Sequence, residues 1–369
     1  MRILFICSSL EPGRDGVGDY TRLLVDALLN EGHNCGLLAL NDAFVNIITA
    51  DNEIMSDYKV PVLRIPHYKL TSSLREIKLW IDEFDPDWLS FQYVIFGYHN
   101  KGLPFNLCKK LLAVSGRGRW HIMFHELWVG MAIEQSTKLK LWGLVQKRLI
   151  ASMIAKLKPA VIHTQTRLYY QILTKMGYKV HHLPLYSNIP VHNPDKIIDQ
   201  GNKIKLVVFG TIHNNSYIAE FAADAAEYAL KNKVPVTMYF IGICGNEQQN
   251  WINLCENTGL KVKVMGEQPP ELVSELLQSA TMGVASTAAA VIDKSGAFAA
   301  MHAHKLPVIN IARPWRPIGI IDLEIPSGVL IYKPGKFEEL IAERTKVSYT
   351  VTDPLITARN MIDALNAVV

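Results

Sequence analysis

The chain has 369 residues, 49% hydrophobic and 20% charged, with a formal net charge of +4. Those values are ordinary for a globular protein and long enough for two domains that each bury a core. Lysines and arginines are scattered and often sit beside acids, which excludes a nucleic-acid-binding stripe but leaves a weak attraction for an anionic substrate or an acidic membrane face.

The N-terminal run "MRILFICSSL" is too short to span a membrane and leads into a glycine loop rather than a cleavage site. It reads as a first buried strand in a cytoplasmic protein. The apolar run 2–7 predicts a strand covered on both faces. "EPGRDGVGD" follows, then a helical periodicity over 20–33 that stops near Gly32, and a strand over 34–40. Strand, loop, helix, strand is a βαβ unit and implies a parallel sheet.

The rhythm continues with a helix over 73–84, a strand over 86–94, a helix over 103–114 and a strand over 120–127. A long helix over 140–157 comes next, then strands over 160–165 and 179–185 around a helix at 166–176. Residues 186–204 hold two prolines, Asn-rich turns and no apolar period, and read as a linker. Strands are then expected over 204–210, 236–242, 261–266, 281–287 and 307–311. Helices are expected over 216–231, 246–258, 270–279 and 295–304, with a last amphipathic helix over 352–369. The fold class is α/β: two Rossmann-like domains in tandem with an interdomain cleft. Residues 1–190 form the first, 204–345 the second, and the final helix returns to the first.

Five cysteines stand far apart with no CxxC pair. Cys7, Cys108 and Cys244 lie in apolar contexts and read as buried free thiols of a reducing compartment.

Ligands of open parallel sheets bind beyond the carboxyl ends of the strands, so strand-end residues are the candidates. After the first strand come Gly13, Gly16 and Gly18, then Asp19 and Tyr20. Glycines there let amides approach an anion at a helix N-terminus, or serve only a tight turn. The spacing is not GxGxxG, and Asp42 lies two residues past the second strand, so a dinucleotide reading is weak. His125 and Glu126 end a strand and enter the cleft, where the histidine can hold a hydroxyl and the carboxylate can orient one. Gln92 and Tyr93 either line the cleft or pack in the core.

In the second half, Gly210 and Thr211 offer an amide and a hydroxyl, and His213 and Asn214 offer polar contacts. "GICG" (242–245) and "GEQPPE" (266–271, with Gly266 and Glu267) close two further strands, where a base can lie against main chain. Lys294, Ser295 and Gly296 precede an Ala-rich helix. They make either a diphosphate cradle or a plain N-cap with a solvated lysine. His302 and His304 face different sides of that helix and lack a third metal ligand. Nucleophile-elbow, Walker and zinc-helix motifs are missing.

The arrangement resembles GT-B glycosyltransferases, and specifically the retaining family 4, over nearly the whole chain. The carriers are "DGVGDYTRLLVDALLNEGH" (15–33), "FHELW" (124–128), "LPLYSNIP" (183–190), "VVFGTI" (207–212), "MYFIGICG" (238–245) and "KSGAFAAMHAHKLPVI" (294–309). The resemblance implies a hexosyltransferase that moves a sugar from a nucleoside-diphosphate donor on the second domain to an acceptor on the first, without a metal or other cofactor. It places Gly16 and Gly18 in the family's first glycine loop and His125 at the reaction centre. Gly210 becomes the strand-end glycine before a basic pair, and Gly242 and Gly245 lie in the nucleotide-side loop. The sequence departs from the family where it carries two glutamates: Ile292 and Ala300 stand there, with Asp293 displaced by one residue from the first. The basic pair is also absent, with His213 and Asn214 nearby, so Lys294 would supply the cation.

The reading is a cytoplasmic retaining glycosyltransferase, possible peripheral contact with a membrane included, acting in polysaccharide biosynthesis or on a lipid-linked or small acceptor. Its rivals are a non-catalytic binding protein on the same fold and a nucleotide-sugar epimerase.

Overall fold

The computed structural model describes residues 1–193, 202–350 and 352–368. The chain forms two compact units: Met1–Pro184 with Pro317–Ile320 and Pro354–Val369, and Leu185–Arg316 with Ile321–Asp353. The linker expected over 186–204 falls in part on residues 194–201, outside those described.

Unit 1 holds β1 (Arg2–Cys7), α1 (Gly16–Asn30), β2 (Asn34–Asp42), β3 (Thr49–Met55), β4 (Tyr58–Pro66), α2 (Leu74–Phe84) and β5 (Trp88–Tyr93). After these come α3 (Leu107–Val114), β6 (Arg119–Phe124), α4 (Thr137–Leu157), β7 (Val161–Thr164), α5 (Arg167–Lys175) and β8 (His181–His182). The strands order as β3-β4-β2-β1-β5-β6-β7-β8, parallel except for β3. Ile3, Leu4, Phe5, Ile6 and Cys7 of β1 are fully buried. Each large apolar side chain among them stabilises the sheet by roughly 1.5–3 kcal/mol.

The β3–β4 hairpin is an addition to the sequence expectation. Ser56 and Asp57 both take positive φ, 43° and 66°, as a two-residue type I′ turn requires. β3 is a polar, mostly exposed edge with no apolar alternation, and β4 carries two prolines, so the usual strand signals are blurred. The helix expected from 103 begins at Leu107, past Pro104, and the one expected from 140 begins at Thr137 behind the Ser136 cap.

Unit 2 holds β9 (Ile204–Phe209), α6 (Ile218–Asn232), β10 (Val236–Ile241), α7 (Gln248–Asn257), β11 (Lys261–Gly266), α8 (Pro270–Ser279) and β12 (Met282–Ala285). A 3₁₀ turn (Ala289–Lys294), α9 (Gly296–Ala303), β13 (Val308–Asn310), β14 (Val329–Ile331) and α10 (Phe337–Glu343) follow. β14 and α10 were not expected from the sequence, their apolar runs being short. The sheet runs β11-β10-β9-β12-β13-β14, all parallel. Phe221, Trp251, Tyr332 and Phe337 belong to one core cluster, and Ile292, Ala300, Met301 and Val308 belong to another. Gly283 of β12 lets α9 lie close: a Cβ there would sit 2.3 Å from Met301 Sδ. The last helix, α11 (Pro354–Asn366), belongs to unit 1 and packs on α1, burying Thr357, Ala358, Met361 and Leu365.

Candidate functional site

Chain order in unit 2 reverses direction between β9 and β12, which makes the carboxyl ends of those strands its topological switch point. Open α/β sheets take ligands at such crevices. The loop after β9 runs through Gly210, with φ 68°, and continues to His213, whose amide donates to Ser286 Oγ at 2.8 Å. Ser286 follows β12, so the two loops are tied together. A Cβ on Gly210 would lie 3.8 Å from Ala297, in the first turn of α9. Burial, and then the Lys294 ammonium, holds His213 below the usual imidazole range. The β9 loop, the β12 loop and the start of α9 therefore converge, and the Lys294 charge is felt at His213.

Open space surrounds this rim. Gly242, Gly245 and Gly266 end β10 and β11 with φ near 80°, 79° and 64°. A Cβ on Gly245, Gly266 or Gly296 would meet nothing within 4 Å. Thr211, Asn214 and Glu267 are exposed, and Asp293 and Lys294 are partly so. Ser295 caps α9, its hydroxyl accepting from the Phe298 amide at 3.2 Å, which leaves Gly296 and Ala297 in the same first turn. Ile292 and Ala300 are wholly buried in the apolar cluster. A carboxylate at either position would be buried among apolar side chains.

Unit 1 switches direction between β1 and β5, and its own side chains fill that crevice. Asp15 caps α1 and accepts from the Val17 and Gly18 amides at 3.0 and 2.8 Å. The amides that the sequence leaves open to an anion thus already hold a carboxylate. Burial raises Asp15 despite those two bonds. Gly16 is exposed, whereas a Cβ on Gly18 would press on Leu10 Cα and Ser9 O at 3.2 Å. Asp19 turns back to accept from the Gly13 amide. Asp42, which ends β2, binds Arg64 at 2.7 Å and the Leu10 and Phe44 amides. Burial alone would raise its carboxyl, but these bonds hold it below the usual range.

His125 is buried, with Nε2 2.9 Å from Gln92 Oε1 and Nδ1 2.8 Å from Gln165 Oε1. The Gln92 NH2 donates to Ser90 Oγ, Ser90 Oγ meets His121 Nδ1, and His121 Nε2 meets His163 Nδ1. Burial lowers His125 to about 4 and His121 to about 3, so both rings are neutral. A neutral His125 donates from one ring nitrogen and accepts at the other, so one of the two flanking glutamines presents its carbonyl and the other its NH2. Tyr20 meets the His125 ring edge-on at 5.0 Å. Tyr93 is buried, and burial and then the Glu126 charge raise its phenol. Glu126 itself is partly exposed.

Sequence reasoning missed Asp15, Gln165, Ser286 and the Ser90–His121–His163 chain. Gln165 and Ser286 follow strands and Asp15 precedes a helical period as N-caps do, signals that could have found them; a buried polar chain has none so local. Cys108 is a correction to the thiol reading, being only partly buried, while Cys7, Cys35, Cys244 and Cys255 are buried. Burial pushes Cys7, Cys35 and Cys255 up to about 12 and Cys244 to about 11, so these thiols are unreactive. His304 bonds Ala300 O and Ser274 Oγ, and His302 stacks near Phe298 and Tyr349. Among the described residues, no group of three or more His, Cys, Asp or Glu is placed to hold a metal, and no helix is long and apolar enough to cross a membrane.

No family model matches the chain, and no curated protein matches it in sequence. In three dimensions it is similar to sucrose-phosphate synthase from Thermosynechococcus elongatus, with a TM-score of 0.59 and 15% identity over 100% of this chain and 94% of that one. It is also similar to Anabaena HepE in complex with UDP and glucose, with a TM-score of 0.57 and 13% identity over the whole of both chains. AviGT4, a glycosyltransferase of avilamycin A biosynthesis, gives 0.56 and 14% over 100% of this chain and 98% of that one. Over its full length the chain has the fold of GT-B glycosyltransferases, two Rossmann-type units in tandem.

Proposed function

We propose that this protein is a glycosyltransferase that takes a sugar from a nucleoside-diphosphate donor held by unit 2. The observation that carries the reading is the open rim at the β9–β12 switch point, where the His213 and Ser286 loops are tied together and Gly210 faces the first turn of α9 behind Lys294. The donor diphosphate lies along Gly210, Thr211, His213 and Lys294 and against the first turn of α9. As the bond from the anomeric carbon to the diphosphate breaks, its electron pair moves to the diphosphate oxygen. Lys294 and the α9 amides stabilise that charge, an interaction stronger in the transition state than in the ground state. The acceptor oxygen bonds to the anomeric carbon, with retention, and its proton passes to the departing phosphate oxygen. Lys294 supplies the positive charge, so a metal is not required. The HepE complex with UDP and glucose, the same fold, supports this donor class.

Unit 1 serves the acceptor through Glu126 and Asp19 in the first turn of α1, with His125 held between Gln92 and Gln165. Calorimetric titration with uridine, guanosine, adenosine, cytidine and thymidine diphosphates tests the donor half. Binding to at least one is expected, and binding to none would sink the reading. Product anomer analysis tests retention.

One observation favours a second reading, a non-catalytic binding protein: both ring nitrogens of His125 are already bonded within unit 1. It predicts nucleotide binding without turnover on any acceptor. An epimerase would instead release an altered nucleotide sugar with no acceptor present.

A further inference from the structure

Unit 1 contains a cavity of about 350 Å³ that the donor reading does not use. Its construction is unusual for a helical surface. Gly143 stands in the middle of α4, where glycine costs about 1 kcal/mol relative to alanine. Its role is visible: a Cβ there would lie 1.9 Å from Val129 O. Gly130, with φ 76°, is equally constrained, since a Cβ would lie 2.4 Å from Leu139 O. The loop after β6 thus lies directly on the α4 backbone. Gln146, fully buried, fastens it by accepting from the Val129 amide at 3.0 Å. The segment Pro317–Ile320 closes another side, with the Ile318 amide donating to Met131 O at 2.7 Å.

The walls so formed are apolar, from Trp128, Met131, Leu144, Ile172, Met176 and Ile320. Leu144 and Ile318 on the rim are each 50% exposed. Three lysines complete the lining. Lys147 Nζ sits 5.4 Å from the Trp128 ring centre, Lys140 Nζ donates to Ile133 O, and Lys175 Nζ donates to Gly319 O. The volume is that of a small-molecule site, and an apolar bed with three cations at its edge complements one chemistry.

We infer that this cavity binds a single anionic amphiphile, its apolar chain laid between α4 and α5 and its phosphate or carboxylate head met by Lys140, Lys147 and Lys175. Burying each CH2 of such a chain contributes about 0.8 kcal/mol, so the chain supplies affinity and the lysines choose the sign of the head. The inference rests on unit 1 alone and is independent of the transferase reading.

Dodecyl phosphate, titrated below its micelle-forming concentration, is the probe, followed by calorimetry and tryptophan emission. Saturable binding is expected, with an emission change that is absent in Trp128→Phe. Dodecanol should bind about tenfold more weakly, inorganic phosphate alone should give no heat, and Lys140→Glu with Lys147→Glu should cost about tenfold or more. Ile172→Trp, which fills the cavity, should abolish binding; if it fails to fold, the lysine variants, on partly exposed side chains, still decide. The inference is overturned if the wild-type protein does not bind saturably. Equal affinity for dodecyltrimethylammonium, or undiminished binding by the lysine variants, also overturns it. So does flotation with anionic vesicles without any response to the monomeric probe, which would assign the face to a bilayer surface.

Discussion

Both sheets reverse their winding beside their first strand, yet the two crevices that result are opposites. In unit 1 the crevice is occupied from within. Asp15 takes the helix amides, Asp42 is bonded to Arg64, and His125 is bound on both sides by glutamines. Even Gly97 is pressed there, since a Cβ would approach Ser8 Oγ to 2.7 Å. In unit 2 the rim carries open glycines, with Thr211, Asn214 and Glu267 exposed and Asp293 and Lys294 partly so. The same topology is therefore spent on internal contacts in one unit and on open space in the other, and the proposed diphosphate site lies in the second.

Acid should separate the two most sharply. His125 and His121 are held neutral in the fold, at about 4 and 3, below the 6.5 of an exposed imidazole. The unfolded chain then binds more protons than the native one below pH 6.5. Their contribution is fully present above that pH and is lost as the pH falls from 6.5 toward 4, by about 1.4 kcal/mol per histidine per pH unit. We predict that hydrogen exchange at pH 5.5 shows unit 1 amides losing protection before those of unit 2. Equal loss in both would break the contrast.

A smaller effect is expected at the open rim. Lys294→Ala should weaken nucleoside diphosphate binding by about 2 kcal/mol, some thirtyfold, while leaving the melting temperature nearly unchanged. Unaltered affinity in calorimetry would move the anion elsewhere. Gly283→Ala should destabilise unit 2 by about 1–3 kcal/mol through its clash with Met301, and denaturant titration would detect it. The smallest effect sharpens the comparison from the other side. Asp15→Ala should cost about 1 kcal/mol of stability as a lost cap and leave nucleotide affinity alone. A gain of affinity there would mean that the unit 1 amides compete for the same ligand.

Most of the parallel strands were legible because they are continuous apolar runs, and the glycines at 210 and 242 were legible because they end such runs; β11, which alternates lysine and valine, was legible by its period. Lys294 and His213 were each visible, and the family resemblance already set Lys294 to supply the cation absent near His213; what stayed hidden was the strand order that joins their loops across 81 residues. The β3–β4 hairpin stayed hidden because an exposed edge needs no apolar period. His125 stood out as a strand-end histidine, but its neutral state comes from burial, against a Gln165 bond that favours the charged ring, and burial is a product of tertiary packing.

The discontinuity of unit 1 has a consequence for how the protein is made. Its last helix, α11, is synthesised after all of unit 2, and the buried faces of Thr357, Ala358, Met361 and Leu365 have no earlier substitute. On the ribosome the α1 surface therefore stays uncovered until the whole of unit 2 has been made. A fragment ending near residue 184 would carry that uncovered patch permanently, so recombinant versions of this lobe need residues 354–368 supplied, in cis through a short joint or in trans as a peptide.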